Sequence, residues 1–488
     1  MSKYYITTTI PYVNGELHLG HAQEYCEADS IARYQAKRVD EVAFSVGTDE
    51  NGQKNLEVAQ SLGVTPQEYT DSMFPKFQSV LEAYDIKPNR IVRTSDPAHQ
   101  QRVQIIWQKL QERDYIYKGS YTGYYCVGCE EFKTETEVKL TNGICPDHNR
   151  PYDLISEESY FFKLSAFSAD IKIAIESEIM RVVPDSKKNE ILSLIDSGLE
   201  DISVSRPRNK LPWGVEVPGD PNFTIYIWFE ALMNYITVLG YPENADFAKF
   251  WPADLQILGK GVLRFHAAIW PAILMGLDLE LPKNLFVHHY VTINSGKMSK
   301  SLGNSVHPVD LVQVYGTDAA RYYLLRHIPS YHDGDFTWQK IQNAYTDDLV
   351  NGLGNTVSRV SSMVEKYLGG ALDNIPEARH DDKPYHDAIE DYRFDKALTW
   401  VWNIIDGINK FIEQTKPWEL AKDPKNAEHL KTVLSSAVGD LREVAELLEP
   451  FMPQTSSTIK LSLGGDRVQP LTNQLFPRVE LPQHQAST

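Results

Sequence analysis

Four cysteines in 488 residues are too few for a disulfide framework, and three of them crowd between Cys126 and Cys145. No apolar run is long enough to span a bilayer; the longest, AAIWPAILMGL at 267–277, falls well short of about 20 residues. The opening MSKYYITTTI lacks the basic-then-apolar pattern of a secretory signal. Positive charge is also scarce: the formal net charge is −18, which excludes indiscriminate nucleic-acid or membrane binding driven by bulk attraction but leaves room for a local basic groove. No internal repeat is found. A soluble cytoplasmic protein with no membrane partner is the expectation. What is present is ordinary for such a chain: 42% hydrophobic and 23% charged residues. At about 100–200 residues per domain the length suggests two to four domains.

Along the chain, β-branched and aromatic residues at 4–10 read as a strand, PYVNG as a turn, and Leu19 to about Lys37 as a helix in which Cys26 is a small core residue. Val42 to Val46 reads as a buried strand ending in the polar loop GTDENG. Strand, loop, helix and strand make a βαβ unit, hence a parallel sheet with its ligand at the carboxyl ends of the strands. Helical patterns follow through 66–113. Residues 114–222 read as an insertion that begins with short strands and turns rich in Tyr, Gly and Thr. From 223 to 289 the strand-then-helix rhythm returns in FTIYIWFEALMNYITVL and LQILGKGVLRFHAAIWPAIL, and LFVHHYVTI is a further strand. A polar loop, NSGKMSKSLGNS, follows in 290–335. Residues 336–480 are almost wholly helical, and 481–488 are a frayed tail.

Three constellations could carry chemistry. Cys126, Cys129, Cys145 and His148 form C-x2-C, fifteen residues, then C-x2-H. Two such ligand pairs could close a tetrahedral zinc shell with no open position, which would make the metal structural, or the residues could be reduced surface cysteines in a small β unit. Lys297 and Lys300 lie in a glycine-flanked loop; two ammonium groups there could close over a polyphosphate, or form a solvated surface loop. In ELHLGHAQE, His18 and His21 flank Gly20 at a helix entry. A metal pair, a phosphate site and a simple capped helix start all remain open from the residues alone.

Taken together, HLGH after the first strand and KMSKS after a late one resemble the paired signatures of class I aminoacyl-tRNA synthetases. The zinc knuckle, the helical C-terminal region and the stretches GTDENG, YCVGCEEF, IYIWFEALMNY, RFHAAIWPA and KPW make the chain similar to the methionyl-tRNA synthetases over roughly residues 4–460. The resemblance implies an α/β fold: a Rossmann-type parallel-sheet catalytic domain in two halves (1–113 and 223–289), split by the zinc-knuckle insertion, then the KMSKS and stem-contact region and an all-α anticodon-binding bundle. It implies activation of L-methionine by ATP with magnesium, then transfer to the 3′ adenosine of methionine tRNA, including the initiator.

Residue by residue, the resemblance places His18, Gly20, His21, Arg206, Lys297 and Lys300 at ATP, with the two histidines and two lysines catalytic. Ile10, Tyr12, Asp49, Trp228, Tyr235, His266 and Trp270 map to methionine. Aromatic walls suit a polarisable thioether, although each aromatic could equally be ordinary core. Asn351, Arg359 and Trp418 map to the anticodon, where stacking and edge hydrogen bonds must serve, because residues 339–488 carry 16 Lys/Arg against 22 Asp/Glu.

Three positions depart from the family pattern: Asn51 replaces a histidine, Glu230 an aspartate, and Gly261 an acidic residue whose contact is worth about 1.5–3 kcal/mol when charged. These leave a rival reading, a non-catalytic tRNA-binding paralogue. About 110 inserted residues are too few for the editing domain of the related leucine, valine and isoleucine enzymes. With no oligonucleotide-binding extension, a monomer is expected, and DNA is not an expected partner.

Overall fold

The computed structural model describes residues 2–126, 131–133, 135–146, 149–293, 296–297, 306–372, 375–376, 380–465 and 467–480. Its central feature is a six-stranded sheet in which every neighbouring pair is parallel. Strand β1 (Lys3–Thr7) sits in the middle, with β2 (Glu41–Thr48) and β3 (Arg90–Arg93) on one side. On the other side come Leu255–Gly259, Asn284–His288 and Arg181–Val183. Successive residues of β1 serve opposite faces: Tyr5 packs with Trp107 and Trp270 in one core, Ile6 with Tyr25, Phe44 and Phe286 in the other. Both faces are covered, which is why these strands read as near-continuous apolar runs. The strand order reverses between β1 and Leu255–Gly259, and such a switch point opens a crevice beyond the strands' carboxyl ends.

Helix α1 (Leu19–Ala36) follows β1. It is buried on almost every side, packed between the sheet and helices contributed by later sequence, including Thr317–Arg326. That same core runs on into Phe394–Thr415 and Ala427–Leu448 through Leu398, Val401, Trp402 and Val438. From Trp338 to Leu463 the named elements are helices, including a π-helical stretch at Tyr345–Gly354.

Several local expectations are corrected. The helical run expected across 66–113 is interrupted by β3, only four residues long, with two apolar residues between flanking arginines. The stretch expected as short strands contains two long ones: Ile116–Cys126 pairs antiparallel with Asp153–Phe162 from Ile116↔Phe162 to Tyr125↔Asp153. Arg181–Val183, inside the stretch read as an insertion, supplies an edge strand of the main sheet; three residues are too few to show a period. Phe223–Ile225 pairs antiparallel with Ser205–Pro207 instead of joining the parallel sheet. LFVHHYVTI is two strands: Asn284–His288 ends in the main sheet, and Val291–Ile293 pairs with Gly334–Phe336. Among the described residues no helix is long and apolar enough to cross a membrane.

Candidate active site

The HLGH segment caps its own helix. His18 is the N-cap of α1, with extended backbone; its Nδ1 accepts the Gly20 N–H at 3.2 Å, and His21 Nδ1 accepts the His18 N–H at 3.1 Å. The reciprocal arrangement is a capping box built from two imidazoles. The rings stack with centroids 3.8 Å apart. Because both Nδ1 atoms accept backbone hydrogens, each neutral ring carries its proton on Nε2, so both present an N–H donor at the far edge. A Cβ at residue 20 would stand 3.1 Å from the His18 ring, so glycine is what lets that ring fold back over the helix start. Of the three readings left open by the residues, capping is realised, in a form that also supplies two donors.

Beyond these rings, at the switch point, lies a cavity of about 480 Å³. Thr9, His18, Gly20, His21 and Glu24 wall it on one side; Gly259, Gly261, His288, Tyr290 and Asp333 wall it on the other. Glu24 ties the two sides together. One carboxylate oxygen accepts from the Thr9 N–H and hydroxyl, both at 2.6 Å, and the other meets His288 Nε2 at 2.9 Å. His288 Nδ1 faces the His289 carbonyl oxygen at 2.9 Å. Both ring nitrogens thus face acceptors, so both carry hydrogens and the ring is an imidazolium. Burial alone would depress its pKa, but the Glu24 hydrogen bond and the charges of Glu27 and Glu24 raise it to about 9. Sequence reading missed Glu24 and His288. The signal available was spacing: Glu24 follows His21 by three residues on the same helix.

A second cavity of about 210 Å³ shares Thr9, His21 and Val262 with the first. Ile10, Tyr12, Asp49, Trp228, Tyr235 and His266 all line it. Trp228 stacks on Phe265 at 4.4 Å and meets Tyr12 edge-on at 5.8 Å. Asp49, just past β2, is buried and bridged to Tyr12, with its N–H donating to the Pro11 carbonyl at 2.9 Å. His266 rides on a π-helical turn, Phe265–Ile269; its Nδ1–H donates to the Val262 carbonyl at 3.0 Å, and its Nε2 accepts from the Tyr235 hydroxyl at 2.6 Å. Burial lowers its pKa to about 4, so the ring is neutral. Trp270 is not among the lining residues; it is fully buried, its ring 5.7 Å from that of Tyr235.

The remaining expected residues are scattered. Arg206 is largely buried; its guanidinium lies over Tyr226 (4.6 Å) and Tyr125 (5.1 Å) and donates to the Ser205 carbonyl at 2.7 Å, and it lines neither cavity. The Lys297 backbone lies in a two-residue strand paired with Val291–Ile293; its side chain and all of Lys300 lie outside the described residues. Cys126 and Cys145 are both buried, at 0% and 1% exposure, whereas Cys129 and His148 lie outside the described residues. The remaining cysteine, Cys26, is a core residue whose thiol pKa burial raises to about 12. Arg359 lies over the Trp418 ring at 5.3 Å, and Asn351 is exposed on the π-helical stretch before it.

Two of the departing positions meet. Asn51 Nδ2 donates to Glu230 at 2.8 Å, and the other Glu230 oxygen faces His99 Nε2 at 2.9 Å, all buried. His99 is a further residue the sequence did not flag.

A parallel sheet with a ligand crevice at its switch point, entered through HLGH, defines the class: the class I tRNA synthetases. The family model described as tRNA synthetases class I (M) matches residues 4–361. The chain is 41% identical over 474 residues to the methionine–tRNA ligase of Caldanaerobacter subterraneus subsp. tengcongensis, covering 94% of this chain and 74% of that one. Against the Clostridium perfringens methionine–tRNA ligase the figures are 42%, 94% and 73%. A Mycobacterium tuberculosis methionyl-tRNA synthetase structure, in complex with methionyl-adenylate, superposes with a TM-score of 0.91 at 33% identity, covering 98% of this chain and all of that one. The chain belongs to the methionine–tRNA ligase family.

Proposed function

We infer that the chain is a working methionine–tRNA ligase. It activates methionine with ATP, releases pyrophosphate, and passes the methionyl group to the 3′ adenosine of methionine tRNA. One observation carries this: two cavities, one lined by the HLGH histidines and one by aromatics and Asp49, share the wall formed by Thr9, His21 and Val262. A nucleotide in the first and an amino acid in the second would bring the α-phosphate and the carboxylate together there.

The first step needs no general base. The methionine carboxylate is already ionised; it attacks the α-phosphorus, and the bond to the β-phosphate oxygen breaks with its electrons leaving on pyrophosphate. The protein's work is alignment and charge stabilisation. The Nε2–H groups of His18 and His21 donate to phosphate oxygens as charge develops. Lys297 and Lys300 close on the pyrophosphate side, and Arg206 is assigned to the ATP phosphates by the family resemblance, from a position outside both cavities. Magnesium bound with ATP supplies further neutralisation of the polyphosphate. Asp49 meets the methionine ammonium. Ile10, Tyr12, Trp228, Tyr235 and the neutral His266 hold the thioether, with Trp270 supporting Tyr235 from behind. In the second step the terminal adenosine's ribose hydroxyl attacks the acyl carbon, the acyl–phosphate C–O bond breaks with its electrons leaving on AMP, and the hydroxyl proton passes to the departing phosphate.

The finer assignments belong to the same reading. Cys126, Cys129, Cys145 and His148 would hold a structural zinc; the burial of Cys126 and Cys145 suits thiolates kept from water. The helices beyond 336 form the anticodon-binding bundle, with Trp418 stacking on a base and Asn351 and Arg359 reading edges. The boundaries 1–113, 114–222, 223–289, 290–335 and 336–480 describe the functional regions, except that Arg181–Val183 belongs to the catalytic sheet, and a cytoplasmic monomer is the working form. The Asn51–Glu230–His99 contact shows that two of the departing positions compensate each other structurally. The test is pyrophosphate exchange into ATP with a panel of amino acids, followed by charging of methionine tRNA. Methionine alone should support exchange. Binding of tRNA with no exchange for any amino acid would sink the proposal.

A further inference from the structure

Gly261 lies on the turn after the Leu255–Gly259 strand, at the wall of the larger cavity. The family pattern has an acidic side chain there, yet the position is not a gap. A Cβ at 261 would stand 2.2 Å from the Tyr290 hydroxyl oxygen, with the ring's Cζ and Cε1 at 3.4 and 3.9 Å. The phenol oxygen therefore occupies the volume in which a side chain at 261 would begin.

Neighbouring groups hold it there. The Tyr290 N–H donates to Asp333 at 3.1 Å, and the Lys260 ammonium lies 4.5 Å from the Tyr290 ring centroid. Asp333 in turn binds Lys260 through both oxygens, at 2.7 and 2.9 Å. The Lys260 ammonium is thus already paired with a carboxylate. Beside that ion pair the rim presents the Tyr290 phenol, a neutral group whose hydroxyl can donate or accept. A neutral hydroxyl can pair with a sugar hydroxyl in either direction, and it brings none of the charge with which a lysine or arginine holds a phosphate.

We propose that Tyr290 is the ribose-recognising residue of the nucleotide cavity, its hydroxyl taking over the contact that an acidic residue at 261 would make, with Gly261 retained to leave room for it. The proposal rests on the nucleotide reading of that cavity.

The experiment measures equilibrium binding of ATP, 2′-deoxy-ATP and 3′-deoxy-ATP by the full chain, with methionine-dependent exchange and thermal unfolding in parallel. Tyr290→Phe should weaken ATP binding about three- to tenfold, the worth of one neutral hydrogen bond. It should leave at least one deoxynucleotide unchanged, so that discrimination against that analogue collapses. KM for ATP should rise while KM for methionine holds. Gly261→Ala should weaken ATP binding and lower Tm when residue 290 is tyrosine. Combined with Tyr290→Phe it should add nothing, because the nearest ring atom is then at ordinary contact distance. An unchanged preference for ATP over both deoxynucleotides in Tyr290→Phe overturns the proposal. So does a Gly261→Ala penalty that persists in the double variant. Wild-type protein that binds ATP but exchanges with no amino acid refutes the ligase reading, while the binding ratios still decide the role of Tyr290. Wild-type protein that binds no ATP overturns both.

Discussion

At the scale of single residues, the Nδ1 atoms of His18 and His21 cap the helix, and their Nε2–H groups are the ones proposed to meet phosphate, so the two roles are separable by substitution. Asparagine's side-chain oxygen can take the place of Nδ1, and glutamine's longer amide reaches nearer to Nε2. For His18, the Asn variant should keep helix stability, a cap being worth about 1 kcal/mol, but lose exchange rate by about 10²–10³-fold. The Gln variant should retain more of the rate. Thermal melts and exchange kinetics check this; equal rates for the two variants would remove the Nε2–H donor role. Asn51 and Glu230 teach the complementary lesson. Read singly, each is an anomaly, but in space they are one contact, extended by His99.

At the scale of elements, α1 concentrates charge where helices usually bury only apolar groups. Glu24, Glu27 and Asp29 are all buried along it. Glu24 holds the His288 imidazolium, and Asp29 pairs with Arg33 at 2.6 Å and Arg321 at 2.8 Å. Burial raises Glu27 to about 7, although it accepts a hydrogen bond from Ser330 at 2.5 Å. A folded-state pKa raised above the unfolded value contributes stability that is complete below the unfolded pKa and is lost as pH rises through the folded one. For His288 the window runs from about 6.5 to about 9, and for Glu27 from about 4.5 to about 7. His266, lowered to about 4, acts oppositely: its contribution is present above about 6.5 and is lost as pH falls toward 4. Thermal stability measured between pH 6.5 and 9 should therefore decline in the wild type. It should decline less steeply in His288→Gln, which cannot titrate. Identical slopes would show that the imidazolium is not the source.

At the scale of the whole molecule, Arg321 joins the site-bearing helix to the C-terminal helices. It is fully buried, salt-bridged to Asp29, and donates to the carbonyls of Tyr84 (3.0 Å), Pro450 (3.0 Å) and Phe451 (2.8 Å). Removing one partner of a buried pair strands the other. Arg321→Ala should therefore cost about 3–5 kcal/mol in chemical denaturation and loosen both regions together. A loss under 1 kcal/mol would mean that the joint is held by the shared apolar core alone.

What sequence alone determined is local or periodic. The strand around Tyr5, helix α1, the buried second strand and the helical C-terminal region were legible because hydrophobic period and turn chemistry act over a few residues. The gathering of His18, Gly20 and His21 at one cavity, and of six of the seven residues expected at methionine around another, was legible because they lie close to motifs with fixed spacing. Tertiary structure alone decided the rest. Arg181–Val183 is too short to announce itself, and only the exposed edge of Asn284–His288 makes it a strand. The Glu24–His288 pair spans 264 residues, and the fit of Tyr290 against Gly261 depends on two strand ends converging at the switch point. A missing side chain can be read from sequence, but whether its volume has been filled depends on atoms that only folding brings within reach.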